Sequence, residues 1–216
     1  MCFCASGSFA ASGVLAIAGA LTLSIAQRKE RLIAAIPLIF ALQQAIEGLQ
    51  WMMPHPSANS LALGYGFLVF AFLFWPVYLP LATYRIEPDP RRRHILRWFI
   101  GLGVLISLAL LWNLLARPLQ VLIHPLGILY LIDSPFGWLG AFCYLIATCG
   151  SLLVSSRRSL RWFGIAGVIS ALSTAFIFKQ TFVSVWCFFG AVLSVFVYFI
   201  VARKRPKKKL SSTHAS

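Results

Sequence analysis

Leu23-Ser24-Ile25-Ala26-Gln27-Arg28-Lys29-Glu30-Arg31-Leu32-Ile33-Ala34 sets a knot of cations in a short gap between two long apolar runs. The arrangement recurs along the chain. Arg85, Arg91, Arg92, Arg93 and Arg97 form a second cluster, Arg157, Arg158 and Arg161 a third, and Arg203, Lys204, Arg205, Lys207, Lys208 and Lys209 a fourth. Of the 19 basic residues only Arg117 and Lys179 lie elsewhere. Positive charge confined to the gaps between apolar stretches reads as a chain threaded repeatedly through a bilayer.

Composition points the same way. A chain of 216 residues that is 60% hydrophobic and 11% charged, with a mean hydropathy of +0.84, has too little polar surface to cover a water-soluble globule. A net charge of +14 invites a nucleic-acid partner, yet no basic domain exists to form a groove, so none is expected. The clusters read instead as juxtamembrane anchors whose partner is the bilayer, through anionic headgroups at the cytoplasmic face.

A helix needs about 20 apolar residues to cross the hydrocarbon core. Seven segments qualify, at residues 8–26, 32–53, 61–84, 95–116, 136–154, 160–178 and 181–202. The expected fold is therefore all-α, a seven-transmembrane helix bundle. Residues 1–202 form a single transmembrane domain, and residues 203–216 a basic, disordered cytoplasmic tail. Short basic loops stay in the cytosol during insertion, so the N-terminus is expected outside and the C-terminus inside, in a bacterial inner (plasma) membrane. The first apolar run has no basic residue before it, which argues against a cleaved signal peptide.

Between the fourth and fifth spans, β-branched and aromatic residues flank His124-Pro125-Leu126-Gly127. That pattern suits a short outer hairpin or cap. Close helix contacts are expected at small residues: Ser12, Gly13, Ala16 and Ala20 in the first span, Gly101 and Gly103 in the fourth, and Gly164, Gly167, Ala171 and Thr174 in the sixth. Pro76 and Pro80 should bend the third span away from its neighbours.

The polar chemistry gathers in the second span. Gln43, Glu47 and Trp51 share one stripe at helical spacing, with Gln44 and Gln50 on its flanks. Glu47 falls roughly 9 Å below the outer end of its helix. An ionisable group at such depth costs about 2.5–3.5 kcal/mol on insertion scales unless it is paired, protonated or wetted. Candidates at matching depth are Trp112 and Asn113, Lys179 and Gln180, and Ser184 and Trp186. The expectation is a polar pocket in the outer half that holds a small polar ligand, with Lys179 either pairing with Glu47 or sharing the ligand. A purely structural ion pair is the competing reading.

The cysteines and histidines say less. No His/Cys spacing resembles a zinc site, so no metal is expected, and the cysteines read mainly as small apolar residues. Cys2 is a possible reactive thiol beside the N-terminus. P-loops, Rossmann glycine patterns, HExxH and GxSxG are absent, so no cofactor is expected and no reaction is indicated.

The opening Met1-Cys2-Phe3-Cys4-Ala5, the run Pro37-Leu38-Ile39-Phe40-Ala41-Leu42-Gln43-Gln44 through Glu47-Gly48 and Trp51, and Val185-Trp186-Cys187-Phe188-Phe189 resemble an uncharacterised bacterial family of small multi-pass membrane proteins that begin Met-Cys-Phe-Ser-Ala. Cys4 stands where that family has serine. The resemblance implies the same topology and directs attention to Cys2, Gln44, Glu47 and Trp186, without naming an activity. Three classes of function stay open. The first is a binder, either a small transporter or a sensor, with its site around Glu47. The second is a membrane-embedded enzyme using Cys2 or Glu47 with His124. The third is a structural or assembly subunit.

Overall fold

A backbone inside hydrocarbon must satisfy its own N–H and C=O groups, which makes every long apolar run of this chain a helix. The computed structural model describes residues 4–133, 135 and 137–202. Among them, 7 helices are long and apolar enough to cross a membrane: α1 (Ala5–Ile25), α2 (Arg28–Met52), α3 (Ala58–Ile86), α4 (Pro90–Ala116), α5 (Gly137–Val154), α6 (Arg158–Ile177) and α7 (Phe182–Ala202). This is the make-up of a multi-pass membrane protein. The expected tail at residues 203–216 and the N-terminal residues Met1, Cys2 and Phe3 lie outside the described residues.

Capping explains why some helices begin before their apolar runs. Asp89 accepts the Arg91 N–H at 2.8 Å and Pro90 takes the first helical position, so α4 starts early and carries Arg91, Arg92 and Arg93. Ser57 caps α3 in the same way, accepting from the Ser60 N–H at 3.1 Å.

Small residues do set the helix contacts, but not all of those expected. Ser12 donates to the Ala41 carbonyl across the α1–α2 seam at 2.8 Å. A Cβ on Gly19 would sit 2.7 Å from the Leu38 nitrogen, whereas Gly13 and Gly101 meet nothing within 4 Å. On α4 the contact is Gly103, where a Cβ would lie 2.0 Å from the Pro76 carbonyl oxygen. The proline segment expected to splay α3 thus has α4 packed directly against its backbone.

Pro76 acts through the hydrogen-bond ladder instead. It has no N–H to give, and the turn before it, Val69–Phe74, widens to a π-helix. Two of its carbonyls take side-chain donors from neighbours, Ala71 from Tyr144 of α5 and Leu73 from Ser107 of α4.

The chain between α4 and α5 is a β-hairpin, β1 (Gln120–His124) and β2 (Gly127–Leu131), paired antiparallel with Val121 opposite Tyr130. Gly127 closes the turn with φ 146°, a conformation that favours glycine. Tyr130 stacks on Phe67 of α3 with ring centroids 4.8 Å apart. The hairpin therefore plugs the end of the bundle between α3 and α7, above a buried cluster that includes Phe67, Leu114, Ile128 and Cys187. A second buried cluster, including Ile36, Phe40, Trp75 and Leu152, fills the other half.

The opposite end carries the basic connections and is tied across them. Arg157 pairs with Glu30 at 3.2 Å, and Arg92 donates to the Val154 carbonyl at 2.6 Å. Glu87 accepts from the Ser155 hydroxyl at 2.9 Å and the Ser156 N–H at 2.8 Å. Burial pushes the Glu87 carboxyl up, but its bonds from Ser156, Ser155 and Asp89 outweigh that and hold it below its ordinary value.

Candidate functional site

Glu47 is the one acidic residue among the described positions that sits inside a span away from both ends. It is 3% exposed. Its carboxylate accepts from Gln44 Nε2 at 3.1 Å, one turn back on α2, and from the Ser184 hydroxyl in the first turn of α7. These contacts follow from sequence: Gln44 and Glu47 are spaced to meet on one helix face, and Ser184 is a small polar residue where α7 passes α2.

A second pair lies beside this one. Gln43 Oε1 accepts the indole N–H of Trp75 at 2.8 Å, joining α2 to α3, and Trp75 stacks on Phe40 with centroids 4.1 Å apart. A cavity of about 70 Å³ is lined in part by Trp75, Tyr144, Trp186 and Cys187, and Glu47, Gln44, Ser184 and Tyr130 are not in its lining.

The hairpin forms the roof. The Ile128 N–H reaches the Ser184 oxygen at 3.4 Å, and a Cβ on Gly127 would come within 3.3 Å of the same oxygen. Tyr130 hangs from β2 toward this region. Burial, and then the nearby Glu47 and Cys187, push its hydroxyl well above its ordinary range. That hydroxyl and Gln44 Oε1 are both buried without a hydrogen-bond partner. A buried polar atom left unpaired costs about 1–3 kcal/mol, so an arrangement holding two of them beside a carboxylate is loaded with unmet hydrogen-bonding capacity.

Several sequence-predicted residues stand apart from the centre. Lys179 is exposed in the connection between α6 and α7, and the expected pairing with Glu47 is not made. Asn113 is buried on α4 with its Oδ1 unpartnered, but it does not bond to Glu47. Trp51 is half-buried against the cluster below the hairpin. Trp186 packs edge-on against Tyr144 at 5.6 Å and lines the cavity rather than bonding to the acid. Trp112 is 72% exposed. Cys2 lies outside the described residues. His124 Nδ1 accepts the Leu126 N–H at 3.2 Å within the hairpin turn, and Glu47 is not among its partners. Gln50 bonds to the Ser60 carbonyl and hydroxyl at 2.9 and 2.8 Å and fastens the α2–α3 turn.

Sequence reasoning missed Tyr130 and Trp75. Tyr130 reaches the centre from a segment outside the helices, and its alternation with Ile128 along β2 was the available signal. Trp75 precedes Pro76 in a span read only for its prolines.

The chain belongs to a family of unknown function (DUF6629), whose model matches residues 1–212. No curated protein and no solved structure matches it.

Proposed function

We propose that this member of the family is a membrane-embedded binder, of the small-transporter or sensor type, whose ligand occupies the centre at Glu47 beneath the hairpin. The observation that carries the reading is a carboxylate enclosed within the bundle with two unpartnered polar atoms, Gln44 Oε1 and the Tyr130 hydroxyl, in the same enclosure. A carboxylate and an amide carbonyl accept hydrogen bonds, so the ligand is small, polar and rich in donors: a cation or a protonated amine. In this reading the chain lies in a bacterial inner membrane with its basic connections in the cytosol and the hairpin outside. The gathering of Arg92, bonded to the Val154 carbonyl, and Arg157, paired with Glu30, at one end supports that orientation.

A thermal-shift screen of purified protein against inorganic cations and small primary amines tests the proposal. At least one probe should raise the melting temperature of the wild type and leave Glu47→Gln unmoved. Equal responses of the two proteins across the panel would remove the basis for placing a ligand at Glu47.

A further inference from the structure

α7 is not continuous. Its helix stops at Ser194 and resumes at Val197, and across the gap Phe196 N bonds to Leu193 O at 3.0 Å while Tyr198 N bonds to Val195 O at 3.3 Å. These tighter bonds re-aim the last turns, Val197–Ala202, which pack on α1 and α2. The first turns of α6 face them across a gap. Between the two lies an open crevice of about 500 Å³ at the basic end of the bundle.

The crevice has two chemically distinct parts. Arg158 and Ser159, in the first turn of α6, stand at its polar end. Trp162, Ala166, Phe196 and Phe199 line its apolar length. Arg158 is exposed, and its guanidinium is in none of the ion pairs among the described residues. α6 also begins here, so the positive end of its helix dipole adds to the guanidinium. A cationic mouth with a hydroxyl, continued by an aromatic-walled trough, complements an anionic phosphate that carries an acyl chain.

We infer that this crevice is a binding site for one anionic phospholipid of the leaflet at the basic end, with its phosphate on Arg158 and Ser159 and a chain along Trp162, Ala166 and Phe199. The site is independent of the reading given to Glu47. It also differs from diffuse attraction of headgroups to the basic clusters, because it requires a shape as well as a charge.

Native mass spectrometry of the full chain in detergent, with phosphatidylglycerol or phosphatidylcholine added, reads the site directly. Phosphatidylglycerol should be retained by the wild type. Loss of a charge-assisted hydrogen bond in Arg158→Gln should weaken retention about tenfold. Arg91→Gln, a charge change on α4, should leave it unchanged. Ala166→Trp decides the matter, since it fills the trough and alters no charge: retention should vanish, and retention equal to wild type overturns the inference. Should that variant fail to fold, equimolar phosphatidylglycerol with brominated chains gives a second reading. It should quench tryptophan fluorescence in the wild type and much less in Trp162→Phe, and equal quenching in both overturns the site.

Discussion

The Gln43–Trp75 bond makes a quantitative demand on the fold. Gln43 is 0% exposed and Trp75 3%, and the indole N–H meets Oε1 at 2.8 Å, so neither group has water as a substitute partner. Gln43→Leu removes the acceptor and strands the indole N–H, which predicts a loss of about 1–3 kcal/mol. Trp75→Phe keeps a ring over Phe40 but strands Oε1, and adds the cost of a smaller side chain. In the double variant both polar groups are gone and nothing is stranded. Gln43→Leu should therefore cost clearly less when Phe already stands at position 75. Polar pairs in membrane bundles average about 0.6 kcal/mol of coupling and reach about 1.7. The full enclosure of this pair puts the expectation at the upper end, about 1–1.7 kcal/mol. Reversible unfolding in mixed micelles, followed by near-ultraviolet circular dichroism, measures all four corners of the cycle. Strict additivity would refute the claim that this bond joins α2 to α3.

Gly103→Ala should destabilise the protein by about 1–3 kcal/mol, because its Cβ meets the Pro76 backbone, while Gly101→Ala on the same helix should gain about 0.5–1 kcal/mol; the same unfolding assay compares them. Glu87 has a folded-state value below its ordinary 4.5, so it stabilises the protein above that pH, and the contribution is lost as the pH falls through the lower folded-state value. Acid titration of stability should show Glu87→Gln less stable than wild type at neutral pH, with the difference closing below pH 4.5. Tyr130→Phe removes an unpartnered buried hydroxyl, so it should leave the stability of the ligand-free protein unchanged or raised, yet shrink the shift given by any probe that acts through Glu47. A large loss of stability in Tyr130→Phe would mean that the hydroxyl already has a partner.

Much of this architecture is readable from local rules. Spans follow from length and hydropathy, and the hairpin from Pro118, Pro125 and Gly127 interrupting apolar residues. Glu47 and Gln44 share a face by helical spacing, and Ser184 falls at matching depth. What could not be read is which faces of different helices meet. Lys179 matches Glu47 in depth but projects from a connection to the exterior, and depth along an axis carries no information about rotation around it. Gly13 and Gly103 are equally small, yet only Gly103 has a backbone against it. Tyr130 enters from a strand, where no helical spacing relates it to the acid. The widening of α3 before Pro76 is the intermediate case. Its cause is visible in sequence, but its consequence depends on whether Ser107 and Tyr144 are present to take the released carbonyls.

The two ends of the bundle are closed by different contacts, and those over Glu47 bear on how a ligand would reach it. At the basic end, closure rests on charge-assisted bonds: Arg157 to Glu30 at 3.2 Å, Arg92 to the Val154 carbonyl at 2.6 Å, and Glu87 from Ser156 at 2.8 Å. Each such bond is worth about 1.5–3 kcal/mol against about 0.5–1.5 for a neutral one. Over the acid the hairpin is held to α7 by the Ile128 N–H on the Ser184 oxygen at 3.4 Å and the Thr181 hydroxyl on the Leu126 carbonyl at 3.5 Å, to α3 by Tyr130 stacked on Phe67, and at its base by the Arg117–Asp133 pair at 2.6 Å. Ser184 has one hydroxyl proton and gives it to Glu47, leaving its lone pairs for Ile128. A cation arriving at Glu47 would compete for the oxygen that fixes this proton, and a rotation of the hydroxyl would release the Ile128 N–H. In the proposed reading, occupancy of the centre and seating of the hairpin would be linked through the single side chain of Ser184, and a cation bound at Glu47 should loosen the hairpin's hold on α7.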